Sequence, residues 1–185
     1  ESVHAADLDG DGDVDVVGAA YFGDEIAWWE NDGHQNFTEH TIGSTNGPKV
    51  VYAVDLDGDD DLDVVAAAWV GNAVSWWEND GSPADGGWVK HTIHYFTDGA
   101  PLCMVVIDLD GDDDVDVLVG NFYDDDFHLW EITWWENDGS PADGGWIEHS
   151  LGSGLDWVNS VYAIDLDGDD DVDIVAEAYN VVELI

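Results

Sequence analysis

The side chains of this chain with the greatest capacity for chemistry are concentrated in four nine-residue segments. They read DLDGDGDVD at residues 7–15, DLDGDDDLD at 55–63, and DLDGDDDVD at both 108–116 and 165–173. In each, carboxylates at positions one, three, five and nine can converge on one point, with the backbone carbonyl of position seven as a further oxygen. The carboxylates are Asp7, Asp9, Asp11 and Asp15; Asp55, Asp57, Asp59 and Asp63; Asp108, Asp110, Asp112 and Asp116; and Asp165, Asp167, Asp169 and Asp173. The carbonyls belong to Asp13, Asp61, Asp114 and Asp171. A flexible ring of hard, anionic oxygens matches calcium, which takes about six to eight such ligands at roughly 2.3–2.6 Å. Magnesium demands stricter octahedral geometry and keeps more of its water, and transition metals favour the His or Cys that these loops lack. The spacing therefore predicts one calcium per loop, four in total.

The loops begin like EF-hand loops, but position twelve is Gly18, Ala66, Val119 or Ala176. An EF-hand needs a bidentate glutamate there and helices on both sides, so that reading is excluded.

The elements that hold the loops repeat with them, at spacings of 48, 53 and 57 residues. A short apolar run precedes each of the last three loops (51–54, 104–107, 161–164), and a second run follows all four (16–20, 64–68, 117–120, 174–178). The second run is apolar on consecutive positions, which predicts a strand covered on both faces. A third strand, 26–30, 74–78 and 132–136, leads into the string WWENDG in three repeats. Its Asn-Asp-Gly tail signals a turn, because these residues accept positive φ. A fourth strand follows at 37–42, 89–93 and 147–151.

The prediction is an all-β chain of four-stranded antiparallel meanders, the blade of a β-propeller. About three and a half blades are present, at approximately 1–46, 47–99, 100–157 and an incomplete 158–185, so that 1–185 reads as one partial propeller. The ring would be completed by missing sequence or by another chain.

The loops, the strand after them and the near-fifty-residue period resemble FG-GAP and VCBS-type repeats, as in the integrin α-subunit propeller. The resemblance covers nearly the whole chain. It implies a propeller with one calcium in each loop between first and second strands, in proteins usually secreted or surface-displayed that bind proteins or glycans. One departure is loop position six, glycine only as Gly12 and otherwise Asp60, Asp113 and Asp170. Aspartate tolerates left-handed backbone better than most residues, so the loop is expected to survive with altered affinity.

Charge sets the class of partner. With 44 Asp and Glu against two lysines, the formal net charge is −42. Nucleic acid and anionic membrane surfaces are excluded as partners, and so much repulsion calls for bound cations or a saline medium. An apolar share of 45% is ordinary for a globular protein. Cys103 is the sole cysteine, so no intrachain disulfide forms, and it reads as a small core residue. No run is long enough to insert into a membrane, and the N-terminus lacks a secretory pattern, which points to a removed signal or an excised fragment.

Adjacent strand residues point to opposite faces, so of the pairs Trp28–Trp29, Trp76–Trp77 and Trp134–Trp135 at least one member each belongs between blades, the alternative being a platform for sugar rings. His40, His91 and His149 recur in register and are expected to pack or hydrogen-bond within the blade. Nothing here forms a nucleophile or zinc motif, so the segment reads as non-enzymatic. The repeat is broken at 123–133, an insertion carrying Asp124, Phe127, His128 and Trp130; with Trp157 it forms the candidate ligand site, at the end of the blades opposite the aspartate loops.

The expected function is a calcium-stabilised, extracellular or cell-surface module for protein or glycan binding, and the acidic surface suits saline surroundings. Its alternatives are a structural subunit of an extracellular filament or surface layer, self-associating through open blade edges, and the propeller segment of a secreted polysaccharide-active enzyme.

Overall fold

The structure is a computed structural model that describes residues 1–97, 99–123, 130–155, 158–169, 171–178 and 181–184. Its contacts divide the chain into two compact units, Glu1–Tyr95 and Phe96–Ile185.

Unit 1 holds two sheets. Sheet 1 is the meander β1 (Ser2–Ala6), β2 (Asp15–Ala20), β3 (Glu25–Asn31) and β4 (Phe37–Ser44), hydrogen-bonded in chain order. Sheet 2 repeats it with β5 (Pro48–Val54), β6 (Asp63–Ala68), β7 (Ala73–Glu78) and β8 (Val89–Tyr95). Unit 2 holds sheet 3, of β9 (Gly99–Ile107), β10 (Asp116–Tyr123), β11 (Trp130–Glu136) and β12 (Ile147–Leu155), and sheet 4, of β13 (Val158–Ile164), β14 (Asp173–Ala178) and β15 (Val181–Leu184). All neighbouring strands are antiparallel. The all-β, blade-like architecture read from the repeats is therefore the observed one, with sheets that do not close on themselves.

The apolar second strands explain the packing. All six residues of β6 are buried, and Val117, Leu118 and Val119 of β10 are at most 1% exposed. Both faces of these strands are covered, as their unbroken apolar runs require. Within unit 1 the core joins Val17, Ile26 and Trp28 of sheet 1 to Val51, Val64 and Trp77 of sheet 2. Within unit 2 it joins Leu118 and Ile132 of sheet 3 to Val161, Ile174 and Ala176 of sheet 4.

The first strands of sheets 1 and 2 also touch through polar groups. The Ala53 N–H donates to Nδ1 of His4 at 2.8 Å, and burial lowers the basicity of this imidazole, which favours the neutral, accepting form. At least one member of each tryptophan pair is nearly inaccessible: Trp28, both Trp76 and Trp77, and Trp135.

The third-repeat insertion begins as an extension of the β10–β11 hairpin, where Phe122 pairs with Trp130. Strand β11 thus claims part of what the spacing assigned to the loop. Asp124, Phe127, His128 and Trp157, and the side chain of Trp130, lie outside the described residues.

Candidate metal centres

Each aspartate loop joins the first strand of a sheet to the second, and its conformation follows from its glycines and aspartates. Gly10, Gly58, Gly111 and Gly168 at position four have φ between 73° and 82°, the left-handed region. Position six is left-handed as well: Gly12 at 96°, Asp60 at 73° and Asp113 at 76°. Asp60 and Asp113 thereby keep the loop's backbone path, as the tolerance of aspartate for αL allows; Asp170 lies outside the described residues.

The first carboxylate of the loop folds it. One oxygen of Asp55 accepts the N–H groups of Gly58 and Asp59 at 2.8 and 3.1 Å, and the other accepts that of Asp60 at 3.0 Å. Asp108 does the same for Gly111, Asp112 and Asp113.

The ninth carboxylate is the most buried. Asp15 and Asp63 are inaccessible and Asp116 is 1% exposed. One oxygen of each takes the N–H of the leucine at position two (Leu8, Leu56, Leu109; 2.9–3.0 Å). The other takes the N–H of the asparagine of WWENDG (Asn31, Asn79, Asn137; 2.8–2.9 Å). That asparagine answers with its side chain, donating to the carbonyl at position eight (Val14, Leu62, Val115; 3.1–3.2 Å). The WWENDG turn is thus clasped to the loop of its own sheet. Sequence reasoning saw in this string only a turn; the repetition of its asparagine in step with the loop was the available signal.

Positions one, three and nine converge in all four loops. Carboxylate oxygens of Asp7, Asp9 and Asp15 lie within 4.8 Å of one another, as do those of Asp55, Asp57 and Asp63, of Asp108, Asp110 and Asp116, and of Asp165, Asp167 and Asp173. The position-five carboxylates stand outside these trios. Asp11, Asp59, Asp112 and Asp169 instead accept the N–H of position seven at 2.8–3.1 Å.

The electrostatics of the trios call for a cation. Burial raises the proton affinity of Asp9, Asp57, Asp110 and Asp116, with neighbouring carboxylates adding to it. Asp63 is pushed up to about 7, mainly by desolvation, against the lowering effect of its two N–H donors. Both lysines lie elsewhere, Lys49 over the ring of Trp69 and Lys90 over that of Trp77. Oδ1 of Asp7 and Oδ1 of Asp57 are buried with no hydrogen-bond partner among the described residues. An oxygen-only donor set with orphaned buried oxygens fits a hard divalent cation.

The recurrent histidines lie beside the loops as structural partners. Nε2 of His40, His91 and His149 is 2.6–2.8 Å from a carboxylate oxygen of Glu30, Glu78 and Glu136, respectively. Each imidazole also stacks on the first tryptophan of the pair, at 4.3–4.8 Å between centroids.

A family model described as FG-GAP-like repeat matches the chain over residues 7–66, 55–119 and 108–176. Each span runs from one aspartate loop into the strand beyond the next. No curated protein matches the chain.

Proposed function

The chain belongs to the FG-GAP-like repeat family, and on that premise we propose that it is a calcium-stabilised module of an extracellular or cell-surface protein that binds a protein or glycan and carries out no catalysis itself. Repeats of this family are typical of adhesion and surface modules.

The observation that carries the calcium reading is the convergence of three carboxylates in every loop, in a chain with two lysines for 44 acids. Asp7, Asp9 and Asp15, and their counterparts in the other three loops, would hold the ion. Calcium bound there supplies positive charge and oxygen coordination. The ninth aspartate, tied to both loop and hairpin, transmits that neutralisation to the fold, so binding free energy becomes folding free energy. The third-repeat insertion with Asp124, Phe127, His128 and Trp130, joined by Trp157, remains the proposed ligand site, supported by its departure from the repeat.

Calorimetric melting in calcium and in excess EGTA tests the proposal. A site saturated at about 100 times its Kd adds about 2.7 kcal/mol, so four sites move the transition by many degrees. An unchanged melt refutes the calcium reading. Titration calorimetry is expected to approach four ions per chain.

A further inference from the structure

In the string WWENDG a glutamate precedes the clasping asparagine: Glu30, Glu78 and Glu136. The ladder between the second and third strands places it. Val16 faces Trp29, Val64 faces Trp77 and Val117 faces Trp135. One step nearer the loop, the glutamate comes opposite the ninth aspartate, Asp15, Asp63 or Asp116. The N–H of the following asparagine, bonded to that same aspartate at 2.8–2.9 Å, fixes the alignment. Opposite residues of antiparallel strands project from the same face, with Cβ atoms about 4.5–5.5 Å apart. Each glutamate therefore stands beside its trio of carboxylates while remaining outside it.

The glutamate is also held there. Its Oε2 lies 2.6–2.8 Å from Nε2 of His40, His91 or His149. An ionised carboxylate only accepts, so the imidazole proton sits on Nε2. The ring is stacked in turn on Trp28, Trp76 or Trp134, within 21° of parallel. Without this support a glutamate on a strand face samples many rotamers and carries its charge into solvent. The charge is felt in the loop. Beyond burial, the largest cause, and the loop's own aspartates, Glu30, Glu78 and Glu136 raise the proton affinity of Asp9, Asp57 and Asp110.

We propose that Glu30, Glu78 and Glu136 are outer carboxylates of the first three metal centres, pinned by His40, His91 and His149 so that their charge tightens the hold on a cation and favours ions of higher charge. The inference rests on the cation reading proposed above and extends it to residues outside the loops. The histidines act through the glutamates and serve to position them. A partner for histidine alone could equally be a neutral amide; only a charge does work on the ion.

The test compares the parent chain with a variant carrying Glu30→Gln, Glu78→Gln and Glu136→Gln. Glutamine keeps an acceptor for Nε2, and the three glutamate side chains are 25–35% exposed, so the fold is expected to persist and is checked by circular dichroism. Calcium is titrated by calorimetry and terbium by its emission, sensitised by the tryptophans beside the centres. A carboxylate about 7 Å from a divalent ion at about 0.1 M salt contributes about three- to tenfold in affinity. The same geometry gives about five- to thirtyfold for the trivalent ion, since the energy scales with its charge. At about 1 M salt the calcium difference should narrow to less than about twofold. Glu→Asp at the same three places, which keeps the charge, should restore most of the affinity. Should the triple variant fail to fold, Glu30→Gln alone gives the same comparison at one centre. If the parent binds calcium and the glutamine variant binds it as tightly, this inference is overturned and the loop reading stands. Equal losses for both ions that ignore salt also overturn it, since they mark a purely structural role. A parent that binds neither ion sinks the cation reading and this inference together.

Discussion

The clasp between turn and loop is best probed at Asn79. This residue is 2% exposed, and its side chain makes two hydrogen bonds. Its Nδ2 donates to the Leu62 carbonyl at 3.1 Å, and its Oδ1 accepts the Gly81 N–H at 3.1 Å. Asn79→Ala removes both and keeps the backbone bond from residue 79 to Asp63. Two partly buried groups lose their partners at about 1–1.5 kcal/mol each, or about 2–3 kcal/mol together. For a chain of this length, each kcal/mol lowers the melting temperature by about 2–4 °C, so a fall of about 4–12 °C is expected. Asn31 is the internal control: it is more exposed, its Nδ2 donates to the Val14 carbonyl at 3.1 Å, and its Oδ1 has no partner among the described residues. Asn31→Ala should therefore cost about half as much. Both variants are melted in calcium at matched free concentration, followed by far-ultraviolet circular dichroism. If Asn79→Ala melts within about 1 °C of the parent, or Asn31→Ala costs as much, the clasp does not hold the loop as described.

Two further outcomes follow from the same geometry. A Cβ on Gly47, whose φ is 60°, would lie 2.6 Å from Cγ2 and 2.9 Å from Cβ of Val70, whereas one on Gly58, at φ 77°, meets nothing within 4 Å. Gly58→Ala should cost only the left-handed strain of about 1–2 kcal/mol, and Gly47→Ala distinctly more; equal melting temperatures for the two would count against the packing described. In EGTA the folded chain binds protons more tightly than the unfolded chain, since the proton affinities of Asp9, Asp57, Asp63, Asp110 and Asp116 are all raised. That stability is present below the ordinary carboxylate range and is lost as pH rises toward about 7, the value for Asp63. Melts in EGTA should accordingly fall from pH 5 to pH 8, while calcium affinity rises over the same interval as protons cease to compete; a flat chelated profile would contradict the burial of the trios.

Much of the architecture was legible in the order of residues because it is local and repeated. The alternation of apolar runs with DxDGDxDxD loops and the string WWENDG determines the number of strands, their antiparallel order and the side on which each loop lies. Position six, aspartate in place of glycine, was also readable in advance, since φ preference belongs to the residue itself. The roles within each loop were not, because all four carboxylates look alike in sequence. Only folding distinguishes Asp63, inaccessible and gripped by two backbone N–H groups, from Asp59, which stays outside and caps a turn. The clasp likewise depends on two segments sixteen residues apart, Asp63 and Asn79, being brought side by side by the β6–β7 pairing.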